Sequence, residues 1–130
     1  MSSTRESQPE TLHCAHRFGI PESVELSRRI IERASHATTP RFLIDLQSVE
    51  QFELRTDGLR RIVALLRSAP SLHNGAVAVV APSDLVFGMS RVWQALSELA
   101  GLRLAAFRTV PAANHWLAAP SRMNAWQRGP

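Results

Sequence analysis

The residues Ala76-Val-Ala-Val-Val-Ala81 carry no polar side chain at all. Successive side chains of a β-strand point to opposite faces, so an all-apolar strand needs cover on both sides. Such a strand belongs in the middle of a sheet with helices or further layers above and below it, the usual setting of parallel α/β proteins. The apolar run ends at Pro82, far short of the roughly 20 residues that cross a bilayer as a helix. The chain is therefore expected to have no membrane span.

The rest of the sequence alternates around this strand. Thr11–Arg17 reads as a first strand ended by Gly19. Pro21, Glu22 and Glu25 favour a helix start, and Val24, Leu26, Ile30, Ile31 and Ala34 recur with a helical period behind them. Thr38-Thr39-Pro40 breaks that pattern before Arg41–Leu46, a short buried-type strand. Residues 47–55 connect to Thr56, which reads as an N-cap with Asp57 in the first turn. The second helix buries Leu59, Ile62, Val63 and Leu66, and Pro70 and Asn74-Gly75 close it. Ser83 and Asp84 open the longest helix, with an expected apolar stripe of Leu85, Met89, Val92, Trp93, Leu96 and Leu99 and with Gly101 just past its end. Leu102–Phe107 makes a fourth strand and Val110–Leu117 a closing helix containing Trp116.

This order predicts an α/β fold, a four-stranded, mostly parallel sheet flanked by helices and joined by right-handed crossovers. A chain of 130 residues is one domain's worth. The boundaries read as a flexible tail over 1–10, a folded domain over 11–118 and a second flexible tail over 119–130.

Charge and reactive residues narrow the function. The formal charge is +4, and all 15 basic residues are arginine, scattered singly or in pairs with no aromatic interleaving. That distribution lacks the footprint of a nucleic-acid surface, so no nucleic-acid partner is expected. The N-terminus has no apolar segment of signal type, which makes the cytoplasm the expected location. His13, His16, His36, His73 and His115 are far apart or set on opposite strand faces, and the single Cys14 reads as a small buried hydrophobe. With no Gly-rich phosphate loop and no nucleophile beside a base, neither an enzyme nor a cofactor is expected.

Ligands of open α/β sheets sit beyond the carboxyl ends of the strands. There the sequence places Asp45, Ser83, Asp84 and Arg108, with Thr109 beside them; Ser83 and Asp84 equally suit a helix N-cap, and Asp45 equally suits a loop anchor or an arginine pair. Phe87 falls off the expected stripe, on a helix face with Arg91, Gln94 and Glu98, and is a candidate contact residue. The edge strands of a parallel sheet need protection, so self-association, as in a homodimer, is expected.

Three segments carry a family resemblance. Arg41–Glu50 resembles the "LvDLrgve" strand of SpoIIAA-like proteins of the STAS-type superfamily, named for sulfate transporters and anti-sigma-factor antagonists. Ala76–Arg91 is similar to the "vAiVapsdlvfGlaRm" segment of its small bacterial branch, and Leu104–Leu117 to the closing "vFrdldeAlaWL". The resemblance implies a SpoIIAA-like right-handed βα superhelix and a non-enzymatic binding or regulatory module that meets a protein partner. It implies as well that Phe87, Gly88 and Arg91 occupy family positions, and an alternative role as a small-molecule or lipid carrier of Sec14-like type. The antagonists carry Asp-Ser-Ser-Gly-Leu with a phosphorylated serine next to the glycine; here the stretch is Arg55-Thr56-Asp57-Gly58-Leu59. Asp57 holds the acceptor position, so that phosphorylation switch is not expected to operate. The candidate partner surface is then Asp45, Thr56, Asp57, Ser83, Asp84, Phe87, Arg91 and Arg108.

Overall fold

A computed structural model describes residues 9–119. The tails expected before and after the domain lie largely outside the described residues, but Glu10 belongs to the fold. The strand β1 spans Glu10–His13, and the Glu10 carboxylate pairs with Arg33 at 2.9 Å. Next come β2 (Arg17–Phe18), α1 (Ile20–Ala34), β3 (Arg41–Asp45), β4 (Gln51–Phe52) and α2 (Thr56–Arg67). After a short 3-10 turn at Pro70–Leu72, the chain forms β5 (Ala76–Val80), α3 (Asp84–Leu99), β6 (Leu104–Phe107) and α4 (Val110–Ala118).

The main sheet has the order β1-β3-β5-β6, and every neighbouring pair is parallel. The predicted α/β class and parallel sheet are thus observed. All five residues of β5 are buried, as the unbroken apolar run requires. Its Val77 and Val79 join Phe42, Ile44 and Leu104 in a core shared with α1, α2 and α3. Ala76, Ala78 and Val80 join Leu43 in a second cluster closed by Ala113 and Leu117 of α4. Three helices cover one face of the sheet, and one short helix lies close on the small side chains of the other.

A second, two-stranded parallel sheet pairs β2 with β4, where the sequence suggested continuous strand and plain connection. The first strand stops at His13 because Cys14 is the last residue to bond across to β3, its N–H donating to the Asp45 carbonyl at 3.0 Å. The ladder resumes when the His16 carbonyl accepts from Gln51 N–H at 3.0 Å. The small sheet delivers Phe18 into the core, stacked on Trp93 at 6.2 Å and tilted against Phe52 at 5.5 Å. Phe18 and Trp93 are both fully buried.

The stripe expected on the longest helix is shifted. The inward residues of α3 are Val86, Ser90, Trp93 and Ser97, while Leu85 and Leu99 are 67% and 86% exposed. Serines can face the interior because they are small and can satisfy their hydroxyls locally: Ser90 Oγ donates to the Val86 carbonyl at 2.8 Å. The same device recurs on α1, where buried Ser27 donates to the Ser23 carbonyl at 2.9 Å. A pattern reading weighted by hydrophobicity places such residues outside. Gly101 ends α3 with a φ of 82°, the left-handed conformation anticipated from its position.

Ser97 breaks this rule. Its hydroxyl is fully buried and has no hydrogen-bond partner among the described residues. Ser97→Ala removes an unsatisfied polar group and improves helix propensity, so it should stabilise the chain by about 0.5–2 kcal/mol in urea unfolding. A loss of stability would show that this hydroxyl has a partner.

Candidate functional site

All strands of the main sheet run parallel, so their carboxyl ends and the N-termini of the following helices gather at one end of the molecule. The strongest contacts there are made by α3. Ser83 caps it as expected, its Oγ accepting from Val86 N–H at 3.3 Å. Asp84 and Arg108 form an ion pair at 2.7 Å, and the same Arg108 Nη1 donates to the Pro82 carbonyl at 3.1 Å. The Arg108 guanidinium lies 4.3 Å from the centre of the Phe87 ring, and that of Arg91 lies 6.0 Å away. Asp84, Phe87 and Arg91 stand on one line of the helix at i, i+3 and i+7.

That line continues through Gln94 and faces the outer edge of β6. Gln94 Oε1 accepts from the edge-strand Ala106 N–H at 3.0 Å, and its Nε2 donates to Glu98 Oε2 at 3.2 Å. The polar face of α3 therefore covers an open sheet edge, a protection that self-association would otherwise provide. Phe87 is half-buried against the core beneath Arg108, rather than free on a polar surface.

Asp45, Thr56 and Asp57 do not join this cluster; no hydrogen bond or ion pair links them to it among the described residues. Asp45 anchors a loop instead. Its Oδ1 accepts from Gln47 N–H at 2.9 Å, and its Oδ2 lies 2.9 Å from His13 Nδ1. Thr56 is not an N-cap: α2 begins one residue earlier than expected, because Leu59 N–H donates to the Arg55 carbonyl at 2.9 Å and closes the first turn there. Arg55 holds the cap position without a side-chain cap bond, and Asp57 lies in the first turn as predicted. Thr109, read only as a strand-end residue, caps α4 by accepting from Ala112 N–H at 3.2 Å.

A cavity that sequence reading missed opens where the chain leaves β1. It measures about 450 Å³ and lies between residues 13–17 and one side of α1, with Cys14, Leu26 and Arg29 in its wall. The two histidines of this segment are engaged separately, His13 with Asp45 and His16 with Glu50 at 3.1 Å. No group of three or more His, Cys, Asp or Glu side chains is arranged to hold a metal among the described residues. No described helix is long and apolar enough to cross a membrane. Part of the sequence signal was available, since Glu22, Glu25 and Arg29 share one side of a helix; the break of the first strand at Cys14 that opens the space was not.

The electrostatics of this end follow from burial and contact. Burial raises the Asp45 carboxyl, but the bonds from Gln47 and His13 outweigh it and hold the group below its ordinary range. The Cys14 thiol is pushed up to about 11, first by burial and then by the Asp45 charge, with Arg29 opposing.

No family model, curated protein or solved structure matches the chain.

Two predictions follow from these groups. The folded Asp45 titrates below its unfolded value, so its stabilisation is present above about pH 4 and is lost as pH falls through the folded value. Asp45→Asn should therefore be less stable than the parent chain near neutral pH, with the gap closing in acid; a gap independent of pH would contradict the assignment. Cys14 should react with iodoacetamide at neutral pH more than roughly tenfold slower in the folded chain than in urea, because the thiolate is the reactive form. Equal rates would place the thiol in water.

Proposed function

We propose that the chain is a cytoplasmic, non-enzymatic binding or regulatory module of SpoIIAA-like type, working through protein–protein contacts at the start of α3. The observation that carries this reading is the ordered group of Asp84, Phe87, Arg91 and Arg108. Aromatic and arginine side chains dominate the energetics of protein interfaces. Here the ring and one guanidinium are already fixed by an ion pair, a carbonyl and the core, so docking would cost little side-chain entropy. Arg91 has no carboxylate within 4 Å among the described residues, which fits a partner that brings acidic groups. Asp57 and Thr56, at the start of the neighbouring helix α2, would extend the same surface. The parallel α/β sheet agrees with the architecture that the resemblance implies.

The lipid-carrier alternative calls for a large apolar cavity between sheet and helices. The space beside Leu66, Leu72, Val77 and Leu104 is about 10 Å³, room for at most one water.

Affinity capture with the full tagged chain tests the proposal. At least one protein retained by the parent chain should fall roughly tenfold, a loss of about 1.4 kcal/mol, on the double variant Phe87→Ala/Arg91→Ala. It should stay bound to Leu99→Ser, which alters the far end of the same helix. Identical recovery on all three chains, with thermal unfolding showing each one folded, would overturn the surface assignment.

A further inference from the structure

The cavity beside β1 lies on the opposite edge of the main sheet from the α3 surface, and its charges have an unusual distribution. On its wall α1 presents Glu22, Glu25 and Arg29 together with the apolar Pro21 and Leu26, and Cys14 lies opposite in the chain leaving β1. The arginines and carboxylates of this region are not all neutralised by one another. Arg17 makes an exposed pair with Glu53 at 3.5 Å, and Glu22 Oε1 accepts from Gly19 N–H at 2.9 Å, which leaves its second oxygen unassigned. Glu25 and Arg29 are four residues apart, the spacing at which helical ion pairs normally form. Glu25 instead leans to Arg28 at 3.6 Å, an exposed and weak pair. Arg29 is left with no carboxylate within 4 Å among the described residues.

We infer that this cavity binds a small zwitterion of amino-acid or dipeptide size, its carboxylate on Arg29, its ammonium on Glu25 and Glu22, and its apolar portion over Leu26 and Cys14. The volume of about 450 Å³ lies within the range of small-molecule sites. Signs of charge decide the class. A simple anion would meet Arg29 but also face two glutamates, and a simple cation would meet the glutamates but face Arg29. A molecule carrying both charges, spaced like side chains one helical turn apart, satisfies both at once. Arg29 and Cys14 line the same cavity, so the guanidinium and the apolar part belong to one site. The thiol stays protonated at neutral pH and acts as a soft apolar surface rather than a third charge.

Titration of the 15N-labelled full chain with glycyl-leucine, followed by amide shifts, tests this. The signals of Cys14, Ala15 and Leu26 should shift saturably. N-acetyl-glycyl-leucine, which lacks the ammonium, and glycyl-leucinamide, which lacks the carboxylate, should each bind roughly tenfold more weakly or worse. Arg29→Gln should lose glycyl-leucine binding to the same degree, while Arg28→Gln keeps it, both with dispersed spectra of a folded chain. Three results would overturn the inference: no saturable shift up to the solubility of the dipeptide, a blocked analogue that binds as well as glycyl-leucine, or Arg29→Gln binding like the parent. None of these depends on the α3 surface, so they leave the protein-contact proposal to its own test.

Discussion

A strand with no polar face organises this protein. Every backbone group of β5 must find a partner inside the sheet, and every side chain must be covered. The structure meets the first demand with parallel neighbours on both sides, β3 along the whole strand and β6 from Val77 to Val80. It meets the second asymmetrically. Val77 and Val79, followed by Ala81, fill the thick layer under three helices, whereas Ala76 and Ala78, followed by Val80, let α4 approach the other face. Exchanging these two sets by a one-residue slip would put small side chains where bulk is needed and bulk where a helix must lie close.

That asymmetry determines where surface chemistry is available. Successive strands step in one direction, β1 to β3 to β5 to β6, and their helices α1, α2 and α3 share a face, so α1 and α3 end up at opposite edges of the sheet. At the β6 edge, α3 uses a polar line to cover exposed strand, and the same line carries the Phe87–Arg108 stack. At the β1 edge, the strand breaks off at Cys14, and the gap between the departing chain and α1 becomes the cavity. Both candidate surfaces are thus consequences of how the sheet ends.

Much of the fold was legible because its strongest signals are periodic and apolar. Ala76–Ala81 identifies the central strand, Leu59, Ile62, Val63 and Leu66 identify the buried face of α2, and Gly101 marks the end of α3. What escaped reading depends on polar atoms used locally. Ser90 and Ser97 turn inward and rotate the apparent stripe of α3, which leaves Leu85 and Leu99 in water. The pairing of Arg17–Phe18 with Gln51–Phe52 is only two residues long, too short to leave a period. Of the residues the sequence offers for a partner surface, the fold brings Asp84, Phe87, Arg91 and Arg108 into one group. Asp45 stands with them as a strand-end residue, and Thr56 and Asp57 through the stretch that resembles the antagonists' motif; no hydrogen bond or ion pair among the described residues links these three to the group. The cavity was missed because His13, Cys14 and His16 were weighed as reactive groups and not as the rim of a space.

Amide hydrogen exchange, resolved by residue, tests the central claim most directly. If β5 is the two-sided core of a parallel sheet, the amides of Val77–Val80 exchange only on global unfolding, and those of Gln51 and Glu53, which donate to His16 and Phe18 in the short ladder, open locally and sooner. Exchange of Val77–Val80 at the rate of Gln51 and Glu53 would contradict the architecture on which both surfaces rest.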